Sequence, residues 1–306
     1  MQTMSTKIEL GYVRGKRITL WSIGLNATLS LLKILTGFFG GSYAIMADGF
    51  HSASDLLTDF AILASLKISS QPPDKQHPYG HRKLESLTAF AIGLVLVYVA
   101  VSFASHGVQR LIGILQGTLQ IEVRPYVIIG AVLSLLFKEW IFRLTYRIGK
   151  DLKNTSIIAN AWHHRSDAFS SLCTLIGVSA AIWGGSAWLL ADPVVTILVA
   201  VFILMSALGI LRQNGNLLLD TSANEDKVNE ISHTVLKITG VHNVHGIRTR
   251  YHGSDLLVDL HVVVDPEWSV QMSHALCDEI EEQLKKSIDC ITDVIVHIEP
   301  WSTGTL

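Results

Sequence analysis

Two short stretches carry the residue types best suited to chemistry. Residues 47–59 read ADGFHSASDLLTD and residues 159–171 read ANAWHHRSDAFSS. In each, a His stands four positions before an Asp: His51 and Asp55 in the first, His163 and Asp167 in the second. On an α-helix, positions i and i+4 share a face, with Cβ atoms about 6 Å apart. One helix can therefore offer an imidazole and a carboxylate side by side. Two such faces turned toward each other would supply two nitrogens and two oxygens, a set suited to a tetrahedral divalent ion such as zinc. His164 lies about 100° round the helix from His163, so His163 is the expected ligand.

The elements that must position these residues are apolar. The 306-residue chain is 49% hydrophobic and only 16% charged, against about 25% charged in soluble domains, which indicates a membrane protein. Apolar stretches near 17–39, 42–68, 84–112, 122–147, 155–184 and 187–211 are each long enough to cross a bilayer, for which about 20 residues suffice. The N-terminal segment carries Lys7, Arg14, Lys16 and Arg17. Lys75, Arg82 and Lys83 follow the second, and Arg143, Arg147, Lys150 and Lys153 lie around the fourth loop. The intervening loops are nearly bare of Lys and Arg, so the positive-inside rule puts both termini in the cytoplasm. The expectation is an integral membrane protein, in a bacterial cell membrane if the chain is prokaryotic. No removable signal peptide is read at the N-terminus. No basic excess suggests nucleic acid, and the scattered Cys173, Cys277 and Cys290 form no CxxC.

After Arg212 the composition turns polar. Residues 224–239 and 270–286 have helical periodicity; 244–250, 256–264 and 294–299 alternate as strands. The fold expectation is therefore an α-helical membrane protein of six transmembrane helices (residues 1–212). A C-terminal cytoplasmic α+β domain of order αββαβ (213–306) follows.

A carboxylate in the middle of a membrane helix costs about 2.5–3.5 kcal/mol on insertion scales, so Asp55 and Asp167 mark an ion path by default. Asp48 and Asp59 extend the same polar stripe, either lining the access route or holding helices together. His106 reads as an interfacial or packing residue. The loop QPPDKQHPYGHRKLES sets Asp74, His77 and His81 on a segment stiffened by proline and glycine. It is either a metal site completed by water or a solvated turn. In the tail, His245, His261 and His297 belong to strands, Glu299 shares a strand face with His297, and His274 comes from a helix. These five are either a surface metal site or scattered surface groups; His233, His242 and His252 read as the latter. Lys83 and Asp220 should both lie at the cytoplasmic surface, where an ion pair could hinge membrane and soluble parts.

These features resemble the cation diffusion facilitator family over nearly the whole chain. The resemblance is carried by GSYAIMADGFHSASDLLTD, PPDKQHPYGHRKLES, AWHHRSD, GVHNVHGIRTR, VDLHVVVD and VIVHIEP. It implies a homodimeric secondary transporter, not an enzyme, that exports a divalent transition metal, most simply zinc, with iron, cobalt or manganese as the alternatives, in exchange for protons. The metal would be substrate and bound ion, with no cofactor. The transport site would map to His51, Asp55, His163 and Asp167, and a loop site to Asp74, His77 and His81. A binuclear site in the metallochaperone-like tail would map to His245, His261, His274, His297 and Glu299, stabilising the dimer. Lys83 and Asp220 would form the family's charge interlock. A bacterial member type carries Asp in place of His51 and of Glu299; the His51 version is similar to zinc-selective members.

Two other classes compete. A metal sensor or scaffold without transport would not need the complete quartet. A membrane metalloenzyme would need an open coordination position and a general base, and no HExxH occurs.

Overall fold

The computed structural model describes residues 23–69, 71, 73–119, 122–151, 155–185, 188–253 and 255–302. Within its helices the side chains at 58–69, 149, 151, 155–157, 159, 160, 163, 164 and 166 lie outside the described ones. The chain divides into two units, residues 1–61 with 92–209 and residues 62–91 with 210–306.

Long helices build the first unit: α1 (Ile23–Gly40), α2 (Tyr43–Ser69), α3 (Lys83–Leu115), α4 (Val127–Asp151), α5 (Thr155–Trp183) and α6 (Ala191–Leu218). One end of each of α2, α3 and α6 continues into the second unit. Small side chains let the helices approach closely, as where Ala44 and Ala131 pack with Ile45, Val127 and Val178. Ser42 caps α2, its Oγ accepting from the Ile45 N–H at 3.2 Å. The same hydroxyl donates to Asp192 at the start of α6 (2.5 Å), and Arg110 of α3 donates to the other Asp192 oxygen (3.3 Å). This buried clasp ties three helices at one end of the unit.

Among the described residues, three helices are both long and apolar enough to cross a membrane: Ile23–Gly40, Lys83–Leu115 and Ala191–Leu218. The other three are 27, 25 and 29 residues long, ample in length, but carry polar groups that lower their hydropathy. Those groups include Asp48, His51 and Asp55 on α2, Lys138 on α4 and Asp167 on α5. Two helix ends differ most from the sequence reading. α4 begins at Val127 rather than near 122 because Pro125 restricts the preceding backbone. α6 runs to Leu218, past Arg212, because Gln213, Asn214 and Asn216 change the polarity without ending the helix.

In the second unit, α7 (Glu225–Val235), β1 (Asn243–His252), β2 (Asp255–Val264), α8 (Val270–Ser287) and β3 (Ile291–Pro300) give the αββαβ order. The strands lie in the order β1-β2-β3, β1 antiparallel and β3 parallel to β2. The parallel pair requires a crossover, which α8 provides. Asn224 and Ser269 cap the two helices. One sheet face and the apolar faces of α7 and α8 share a core that includes Ile231, Leu256, Leu260, Leu276, Ile280 and Leu284. The opposite face is left free for the histidines.

Ile280 is fully buried in that core. Ile280→Ala should lower the stability of this unit by about 2–5 kcal/mol. Denaturant melts of the full chain, followed by tryptophan fluorescence, read this; a loss under about 1 kcal/mol would mean the core is not sealed there.

Candidate metal centre

His51 and Asp55 lie one turn apart on α2, and Asp167 projects from α5. One ligand atom from each of His51, Asp55 and Asp167 lies within 4.8 Å of the others. His51 and Asp167 are buried, and His51 Nδ1 has no hydrogen-bond partner among the described residues. A buried, unpartnered imidazole nitrogen is costly unless something coordinates it. His163 belongs to α5, but its side chain lies outside the described residues, as does that of Asp59.

Two residues beside this cluster were not singled out in the sequence. Lys33 of α1 is fully buried and donates to Asp48 Oδ2 (3.0 Å) and Ser52 Oγ (2.8 Å). Lys138 of α4, also buried, donates to the same Ser52 Oγ (3.1 Å) and stands 3.9 Å from Asp167 Oδ2. Asp48 additionally accepts from Ser171 Oγ at 3.3 Å. Asp48 thus answers a buried cation, which favours the helix-holding role over an access route. The signal that exposes Asp55, a charge inside an apolar helix, applies equally to both lysines.

The loop residues Asp74, His77 and His81 also come together, with one ligand atom from each within 4.8 Å of the others. The loop is turned, not helical. Asp74 Oδ1 accepts the backbone N–H of His77 (2.6 Å) and of Gln76 (2.8 Å), and Gly80 takes a φ of +88° that few other residues tolerate. The His77 N–H, then that of Gln76 and the nearby imidazoles, hold the Asp74 carboxyl below the usual carboxylate range. His81 Nδ1 is buried without a partner among the described residues. Two ion pairs follow directly: Arg82–Asp255 at 2.6 Å and Lys83–Asp220 at 2.8 Å. Asp220 sits just past α6 with φ +57°. The Thr221 N–H returns to the Asn216 carbonyl at 3.2 Å, the Schellman closure that usually recruits glycine. The exposed Lys83–Asp220 pair contributes about 0–1 kcal/mol.

In the sheet, register does the assembling. His245 pairs with His261, and His261 with His297, so three strands present a row of imidazoles on the face away from the helices. Glu299, two positions along β3, reaches back to the row. Its carboxylate lies 2.7 Å from His261 Nδ1, 3.2 Å from His245 Nε2 and 3.8 Å from His297 Nε2. The hydrogen bond with His261, reinforced by the charges of the row, holds the Glu299 carboxyl below its usual range. A bulge after His245 is built on Gly246 (φ +60°), where a Cβ would press on the His261 ring at 3.1 Å. His274 is not part of this cluster. Its imidazole is exposed on α8, 3.3 Å from Asp278 one turn along, because it faces outward on a helix packed on the other side of the sheet. Of the remaining tail histidines, His242 stacks on Trp301. His252 is buried, and that burial, aided by Lys83, lowers its pKa and favours a neutral ring.

Comparison with known proteins gives the same outline for both units. A family described as the cation efflux transmembrane domain matches residues 19–219, and one described as the cation efflux protein cytoplasmic domain matches residues 223–301. Metal tolerance protein C1 of Arabidopsis thaliana is 33% identical; the alignment covers 92% of this chain but only 62% of the plant protein's length. The manganese efflux system protein MneP of Bacillus subtilis is 30% identical, with 94% of this chain and 96% of that protein aligned. Magnetosome protein MamB of a Magnetospira species is 29% identical, with 92% and 93% aligned.

The carboxylate shared by the three tail histidines supplies the next expectation. Glu299→Gln, in a chain also carrying Asp167→Ala and Asp74→Ala, should weaken Zn²⁺ binding by at least about tenfold. Competition with a fluorescent chelator measures it, and an unchanged affinity would dismiss the row as a metal site.

Proposed function

The chain belongs to the cation diffusion facilitator family, and from that premise we propose that it exports Zn²⁺ in exchange for protons, working as a homodimer by alternating access. The observation that carries this reading is the cluster of His51, Asp55 and Asp167, in which His51 and Asp167 are buried and His51 Nδ1 has no hydrogen-bond partner among the described residues. His163, four positions before Asp167, would complete the tetrahedron. Two imidazoles and two carboxylates suit zinc better than manganese, which takes oxygen donors by preference. Four protein ligands also leave no open position for hydrolytic chemistry.

Exchange follows from the ligand types. An imidazole binds a metal only in its neutral form, so metal entry expels protons and proton entry expels metal. The two cargoes therefore compete for one site, and reorientation of the helices carries either across. The loop charges support an orientation with both termini, and hence the tail, in the cytoplasm. There the loop cluster at Asp74, His77 and His81 and the tail row would meet cytoplasmic metal, the tail row stabilising the dimer. The Lys83–Asp220 pair would serve as the hinge. A second reading, manganese export, is favoured by the 30% identity to a protein named for manganese efflux.

Sealed proteoliposomes with a trapped metal-sensitive dye test the proposal. Zn²⁺ flux should rise with an opposing proton gradient and disappear in Asp167→Ala; flux indifferent to any pH gradient would rule out antiport. Running Mn²⁺ in parallel decides between the two metals. His51→Asp replaces a borderline nitrogen with an oxygen, so it should shift the Zn²⁺/Cd²⁺ flux ratio toward cadmium. An unmoved ratio would show that His51 does not set selectivity.

A further inference from the structure

The zinc-for-proton reading leaves the two buried lysines without a task. A lysine inside an apolar helix is as unfavourable as an aspartate, and such residues pair or serve the ion path. Lys33 is accounted for by Asp48: its ammonium contacts Asp48 Oδ2, the Asp48 carbonyl and Ser52 Oγ at 3.0, 3.3 and 2.8 Å. Lys138 stands differently. Its one hydrogen bond among those described goes to Ser52 Oγ. Its ion-pair partner is Asp167, at 3.9 Å, beyond hydrogen-bond reach.

The charges show what this placement does. Among the described side chains, Asp48, Asp55 and Asp167 are the acidic groups here and Lys33 and Lys138 the basic ones that meet them. Lys33 and Asp48 offset each other in direct contact. Among the described side chains, Lys138 is therefore the positive charge that stands beside the cluster itself. Ser52, the residue after His51, accepts from both ammonium groups and so fixes Lys138 on the flank of the site without letting it close on Asp167. An ion held by His51, Asp55 and Asp167 would sit within a few ångströms of that ammonium, in surroundings where charge is little screened.

We propose that Lys138 is a tethered competitor for the transported cation, a positioning residue whose ammonium compensates Asp167 in the empty site and loosens the site's hold on the metal. A carrier must bind firmly enough to load and weakly enough to unload. A four-ligand zinc site tends toward the first, and a fixed adjacent positive charge restores the second. This inference rests on the quartet reading above.

The test uses the full chain carrying Asp74→Ala and His261→Ala, so that Zn²⁺ binding reports the membrane site. Lys138→Met should bind Zn²⁺ at least about tenfold more tightly. In liposomes it should lower KM and kcat together, because release becomes slow. Lys138→Arg, which keeps the charge, should return both toward the parent. Unchanged or weaker binding by Lys138→Met would overturn the proposal, since a residue that merely orients Asp167 would lose affinity when removed. Lys138→Gln retains a donor for Ser52 and is read in the same way if the Met variant does not fold. Asp167→Ala in the same background separates the two claims. If it binds Zn²⁺ like the parent, the quartet reading fails; if it loses binding while Lys138→Met binds no tighter, only the competitor role fails.

Discussion

Buried charge must be balanced where water cannot do it, and the helical unit is arranged around that requirement. Lys33 and Asp48 are both fully buried and joined at 3.0 Å. Removing either partner of such a pair leaves an uncompensated charge, at a cost of about 3–5 kcal/mol. Ser52 and Ser171 complete the surroundings of the pair, and Lys138 and Asp167 continue it toward the metal cluster. The same need shapes the start of α2, where buried Asp192 is met by Ser42 and Arg110. The polar residues that make α2, α4 and α5 less apolar than their neighbours are thus gathered inward, leaving α1, α3 and α6 to meet the hydropathy expected of lipid-crossing helices.

The second unit positions its candidate ligands by other means. A strand alternates its side chains, so three histidines on three strands fall in one row only if the register aligns them. The register pairs His245 with His261 and His261 with His297. Glu299 ties the row together, and the core beneath it holds the sheet in place. In the loop, Asp74 is spent partly on its own backbone, which orders the turn and aims both His77 and His81. In the helical cluster His51 and Asp167 are buried and Asp55 half-buried, whereas Asp74 and His77 are exposed, as are His245 and His297 of the tail row. That gradient suits a sealed transport site accompanied by open sites that exchange with the surrounding solution.

Much of this was legible in the sequence, for physical reasons. The four-residue spacing of His51 and Asp55 works because helix geometry is local, and the αββαβ order appears because the tail alternates cleanly between periods. What remained hidden depends on tertiary placement. Lys138 is a single charge on α4, and nothing local shows that it meets Ser52 of α2. Asp48 reads equally as a pathway residue until Lys33 is found beside it. His274 has the right residue type and a helix near the sheet, but the packed face of α8 is taken by Leu276, Ile280 and Leu284, so the imidazole points away. The end of α6 at Leu218 is not marked by the change in composition, because polarity and helicity part company where a helix continues beyond an apolar layer.

The central claim is that the transported ion is held between α2 and α5. Anomalous diffraction at the zinc edge, from crystals of the full chain grown with Zn²⁺, tests it most directly. The account predicts a peak about 2.0–2.2 Å from ligand atoms of His51, Asp55, His163 and Asp167. Peaks confined to the loop and the tail row, with none between the two helices, would contradict it.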